Sequence, residues 1–149
     1  MIQLRHTGLY VKNLHKETLF YQQVFDMFVV CDSVKQSDAL IGDLIEEKAI
    51  VTITKLITEQ GKVSGFDDML ELLQCDNSGL EKDCYGKVFQ YGCMHLGFGV
   101  NDIFLTVNKI IFYGGKQITN VHKMKNGNKC CFCQDPEGNW LELIELAKE

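Results

Sequence analysis

No apolar stretch of this chain approaches the roughly 18–20 residues that a bilayer-crossing helix requires, so no membrane partner is expected. The opening Met1-Ile2-Gln3-Leu4-Arg5 has none of the basic, apolar and small-residue layout of a secretory signal, which points to a cytoplasmic protein. Arginine is nearly absent: Arg5 stands alone among 15 basic residues, the lysines are scattered, and the net charge is −5. Phosphate and base recognition draw on clustered Arg and Lys, so nucleic acid is not an expected partner. Paired Cys-x-x-Cys elements are also missing, and with them the usual framework of a structural zinc site. The seven cysteines are therefore read as reduced thiols, mostly small buried hydrophobes on strands, with a redox role for Cys131 and Cys133 as the lesser alternative.

What remains is a globular composition, 46% hydrophobic over 149 residues, enough for one compact domain or two small modules. Its most informative feature is a repeat. His6-Thr7-Gly8-Leu9-Tyr10-Val11-Lys12-Asn13-Leu14 and His95-Leu96-Gly97-Phe98-Gly99-Val100-Asn101-Asp102-Ile103 share one pattern: His-x-Gly-apolar-x-Val-polar-Asn/Asp-apolar. Asn13 and Asp102 are candidate N-caps of the helices that follow. Leu14, Tyr21, Val24, Phe25 and Phe28 mark the apolar stripe of the first helix, and Ile103, Val107, Ile110 and Ile111 that of the second, which Gly114-Gly115 ends.

Strand-like segments come after each helix, at 28–34, 49–57 and 69–75 in the first half and at 116–121, 129–134 and 140–146 in the second. Asp135-Pro136-Glu137-Gly138 suits a type I hairpin turn. The expectation is an α+β chain of two βαβββ modules, 1–75 and 92–149, joined by a polar, glycine-bearing linker over 76–91.

The halves also end alike, in Met69-Leu70-Glu71-Leu72-Leu73 and Trp140-Leu141-Glu142-Leu143-Ile144. Taken singly, a strand histidine or glutamate is usually structural or solvated. The repeat changes that, because related modules packed about a pseudo-twofold would bring His6, Glu71, His95 and Glu142 together. Carboxylates inside apolar runs need compensation, and two close together repel unless a cation intervenes. A divalent ion held by two imidazoles and two carboxylates meets both needs, with Ni, Mn, Fe, Co or Zn suited to mixed nitrogen and oxygen ligation. Gly8, Gly97 and Gly99 share a strand face with their histidines and would let substrate or backbone come close. His15 and His122 have no repeat partner and are read as exposed or structural.

These residues carry a likeness. His6 to Val11, Phe20-Tyr21, Leu70 to Leu73, His95 to Val100, and Asp135-Pro136-Glu137-Gly138-Asn139 leading to Glu142 together resemble the vicinal-oxygen-chelate superfamily. That superfamily includes glyoxalase I, bleomycin-resistance proteins, fosfomycin-resistance enzymes, methylmalonyl-CoA epimerase and extradiol dioxygenases. The resemblance implies an open, cup-shaped, eight-stranded mixed sheet around a metal, a small-molecule substrate and a homodimer. A set of two His and two Glu looks most like glyoxalase I, a lactoylglutathione lyase. It implies metal ligation by His6, Glu71, His95 and Glu142, within one chain or across a dimer. Glu142 or Glu71 would be the catalytic base, working on a hemithioacetal or α-hydroxycarbonyl through an enediolate. The sequence departs from that enzyme in three places. Tyr10 stands where an arginine usually helps to hold glutathione, and is the candidate substrate-binding residue. Leu72-Leu73-Gln74-Cys75-Asp76-Asn77 replaces the usual Asn-Trp-Gly after the first glutamate, and Phe25-Asp26 replaces Leu-Gly at the helix end. Epimerisation of a 2-methyl-3-oxoacyl thioester and non-catalytic drug binding are the alternatives.

Overall fold

The structure is a computed structural model that describes residues 2–65, 68–76 and 90–148. It divides into two compact units, Met1–Glu81 and Lys82–Glu149. The expected linker falls, over 77–89, outside the described residues, as does Cys84. Among the described residues no helix is long and apolar enough to cross a membrane.

In the first unit the order is β1 (Thr7–Tyr10), α1 (Leu14–Phe25), β2 (Phe28–Gln36), α2 (Ala39–Leu44), β3 (Val51–Ile57), α3 (Glu59–Ser64) and β4 (Leu70–Cys75). The sheet runs β1-β4-β3-β2, with β1 parallel to β4 and the other pairs antiparallel. Asn13 caps α1 as expected, its side chain accepting from the Lys16 N–H at 3.0 Å. Phe20, Tyr21 and Val24 turn into the core with Leu14 and Glu17, while Phe28 belongs to β2 and is exposed. Side chains alternate across a strand, so Leu70, Leu72, Thr54 and Leu56 form one buried face. The opposite face holds Glu71, Lys55 and, further along, Val51, Ile53 and Leu73. These last three pack with Ile41 and Ile45 from the α2 segment. Neither α2 nor α3 was legible as periodicity: six residues each, they are held by side-chain caps from Asp38 and Thr58.

In the second unit the order is β5 (His95–Gly99), α4 (Ile103–Phe112), β6 (Lys116–Gln117), β7 (His122–Lys123), β8 (Lys129–Gln134) and β9 (Trp140–Glu145). The sheet runs β5-β9-β8-β6, with β7 also on β8 and β5 parallel to β9. Of the stretch expected as one strand at 116–121 only Lys116–Gln117 is strand, and a separate short strand, β7, follows at His122–Lys123, so the described residues hold nine strands rather than eight. The cause is local: the N–H groups of Ile118 and Thr119 both donate to the Phe132 carbonyl, which breaks the ladder. Asp102 caps α4 at the Leu105 N–H. Ile103, Val107 and Ile110 are buried, but Ile111 lies off that stripe and is exposed. Gly115 sits against the sheet so closely that a Cβ there would stand 2.5 Å from the Gln134 carbonyl oxygen. Leu141, Leu143, Cys131 and Cys133 fill the buried face. The other described cysteines are partly buried. His15 and His122 are exposed on α1 and β7.

Candidate functional site

Each unit builds the same corner. The first strand lies parallel to the last, with Gly8 opposite Glu71 in one sheet and Gly97 opposite Glu142 in the other. The histidine is two residues before that glycine, on the same face. His6 immediately precedes β1 and His95 opens β5. The result is a direct contact in each half: His6 Nε2 to Glu71 Oε2 at 3.0 Å, and His95 Nε2 to Glu142 Oε2 at 3.2 Å. The glycines keep the corner clear. A Cβ at Gly97 would reach within 3.9 Å of Glu142 Oε2.

These spacings fit a metal. Two donors at right angles on an ion with bonds of about 2.1 Å stand about 3.0 Å apart. The donors are an imidazole nitrogen and a carboxylate oxygen, the chemistry a borderline-hard divalent ion takes. The histidines are half-exposed, so an ion could reach them. Within each unit the donors come as a pair. Among the described residues, no three His, Cys, Asp or Glu side chains form a group that could hold a metal.

The surroundings differ. In register with Glu71, across the antiparallel β3–β4 ladder, stands Lys55. Its Nζ lies 3.3 Å from Glu71 Oε1. Glu71 is therefore compensated on one oxygen by an ammonium and on the other by imidazole. The compensation that a carboxylate in an apolar run needs is met at Glu71 by these two neighbours. At the matching place in the second sheet Phe132 faces Glu142. Phe132 packs edge-on to His95 at 5.4 Å and to Trp140 at 6.3 Å. Among the described residues, then, Glu142 has an aromatic cross-strand neighbour where Glu71 has a lysine. Tyr10 ends β1 on the same face as Glu71, two residues beyond Gly8, with 77% of its surface exposed.

A second shared device lies one step outward. Three residues after each glutamate, Gln74 Oε1 accepts from the Leu14 N–H and Glu145 Oε2 from the Ile103 N–H, both at 2.8 Å. Each last strand is thereby tied to the first turn of its helix, where orphan N–H groups need acceptors. Glu145 also takes a 2.8 Å bond from Lys129, and these two bonds hold its carboxyl below the usual range. The sequence alone gives no role to Lys55, Phe132, Gln74 or Glu145. Extending the repeat three residues past each glutamate would have found the caps. Lys55 and Phe132 needed the strand register.

Comparison with known proteins agrees with this architecture. The family model described as Glyoxalase/Bleomycin resistance protein/Dioxygenase superfamily matches residues 3–143. A probable lactoylglutathione lyase of Synechocystis sp. is 29% identical over 147 residues, covering 98% of this chain and 97% of that one. A lactoylglutathione lyase of Haemophilus influenzae is 29% identical over 145 residues, covering 97% and 93%. The crystal structure of a glyoxalase family protein from Bacillus cereus superposes with a TM-score of 0.86 over 99% of this chain and 96% of that one, at 16% identity.

Proposed function

The chain belongs to the Glyoxalase/Bleomycin resistance protein/Dioxygenase superfamily, and from that premise we propose that it is a metal-dependent lyase or isomerase of the glyoxalase I type. Its substrate would be the hemithioacetal of a small 2-oxoaldehyde, or a related α-hydroxycarbonyl. The ligand set we propose is His6, Glu71, His95 and Glu142, within one chain or shared in a homodimer in the cytoplasm. The observation that carries the proposal is the duplicated His–Glu contact at 3.0 and 3.2 Å, each at the same place in its sheet. The names of the two relatives support the reaction class.

When bound, a divalent ion supplies Lewis-acid polarisation of a carbonyl and of the oxygen on the next carbon. The chain supplies the proton transfer. Glu142 is the better base, because among the described residues no ammonium is paired with it and 26% of its side chain is exposed to an incoming substrate. It takes the proton from the carbon beside the carbonyl and returns it to the neighbouring carbon, by way of an enediolate. Phe132 and Trp140 flank that corner and keep water from part of it. Tyr10, exposed on the Glu71 face, is the proposed contact for the substrate's thiol portion.

The test is methylglyoxal with glutathione or another small thiol, on protein loaded with Ni²⁺ or Mn²⁺, following thioester formation. Metal-loaded protein that turns over no thiol adduct would remove the lyase reading. A non-catalytic binding protein is the second reading, favoured by the ammonium that already compensates Glu71. Protein that purifies without metal, and binds small molecules equally well as Glu142→Gln, would support it.

A further inference from the structure

Lys55 stands in the middle of β3, in the run Val51-Thr52-Ile53-Thr54-Lys55-Leu56-Ile57. Its stem lies on the sheet face that carries Glu71, and its ammonium reaches Glu71 Oε1 while His6 holds Oε2. Only a tenth of the Glu71 side-chain surface is exposed, so its neighbours rather than water compensate its charge. An ion arriving at His6 and Glu71 would meet a carboxylate whose other oxygen is already paired with an ammonium. Two positive charges sharing one carboxylate that is nine-tenths buried would oppose each other. Among the described residues no ammonium is paired with Glu142, whose cross-strand neighbour is Phe132.

We propose that Lys55 is a resident counter-cation that competes with the metal for Glu71, holds metal affinity down and fixes Glu71 as the stationary carboxylate of the pair. The proposal rests on the metal-binding reading above and deepens it: Lys55 makes two ligands of equal origin unequal in role. With Oε1 held by the ammonium, Glu71 has one oxygen to offer and no freedom to swing. Glu142 keeps both oxygens and is the carboxylate that can leave its place to carry a proton. Lys55 is a positioning residue, acting only through Glu71.

The experiment is calorimetric titration of Mn²⁺ into metal-free wild type, Lys55→Met, Lys55→Arg, Glu71→Gln and the double variant Lys55→Met/Glu71→Gln, with melting curves in chelator and in Mn²⁺. Lys55→Met should bind Mn²⁺ about tenfold more tightly than wild type, and Lys55→Arg should stay within about twofold of it. In the Glu71→Gln background the effect of Lys55→Met should shrink below about twofold, since the competition needs the carboxylate. Without metal, Lys55→Met should melt below wild type, and Mn²⁺ should raise its midpoint by more. Lys55→Gln, which keeps a polar stem without charge, should act in the same direction if methionine disturbs the strand. Wild type that binds Mn²⁺ with the affinity of Lys55→Met, or more tightly, overturns the role of Lys55 and leaves the metal reading standing. No Mn²⁺ binding by any of the six proteins overturns both.

Discussion

In the first half Glu71 stands between His6 and Lys55 with a tenth of its side chain exposed; in the second Glu142 stands beside His95 and Phe132 with about a quarter exposed. The backbone beneath them is the same: a glycine in register, a histidine two residues back, and a polar cap three residues on. Around the first pair an inserted helix, α2, covers part of the same sheet face with Ile41 and Ile45. Around the second, the hairpin is short and the aromatic rings stay partly open. The duplication preserves what fixes donor geometry and lets vary what fixes charge and access. Equivalent positions can therefore share a backbone geometry and still differ in chemistry.

The sharpest way to break this comparison is to remove each carboxylate in turn. Glu142→Gln should lower turnover of the thiol adduct by about 10²–10⁴-fold, the range of a lost general base, with most Mn²⁺ binding kept. Glu71→Gln should act first on metal affinity, seen by calorimetry. Equal effects on kcat and affinity from both variants would erase the proposed division of roles.

Next comes the core beneath each pair. Leu72 and Leu143 each follow their glutamate and are fully buried. Leu72→Ala and Leu143→Ala should each cost about 2–5 kcal/mol in denaturant unfolding. A cost in one half only would mean that the two cores are not equivalent.

The helix caps sharpen the comparison further. Asn13→Ala and Asp102→Ala should each cost about 1 kcal/mol, measured the same way.

The smallest effect is on pH dependence. The carboxyl of Glu145 is held low by Lys129 and the Ile103 N–H, so the stability it lends is complete above the ordinary glutamate range, near pH 4.3. It fades as pH falls through the lowered value. Gln74, the counterpart, does not titrate. Glu145→Gln should therefore flatten part of the acid side of the melting-point profile, and Gln74→Leu should lower the profile without changing its shape.

The repeat made much of this readable. Two matching nine-residue segments and two matching strand ends located the His–Glu pairs, and the asparagine and aspartate caps followed from helix chemistry. Residues of the third dimension were hidden. Lys55 reads in sequence as an ordinary solvent-facing lysine on a strand, and only the β3–β4 register sets it opposite Glu71. Phe20 and Glu17 fall outside the expected apolar stripe because the first helix buries a wider face than that stripe suggests. The short helices α2 and α3 rest on capping and on Ile41 packing against Val51 and Ile53, not on any period that six residues could display.

One small turn carries a consequence of its own. The Asp135 side chain is buried and accepts from the backbone N–H groups of Glu137 and Asn139 and from the Asn139 amide, while its carbonyl takes the Gly138 N–H. This knot acts as a measuring stick for the hairpin, setting how many residues separate Cys133 from Leu141. Adding a single residue inside it would rotate the whole final strand by half a repeat. Leucines would then face water and the acid would be driven against α4, so this five-residue corner should tolerate changes of side chain far better than any change of length.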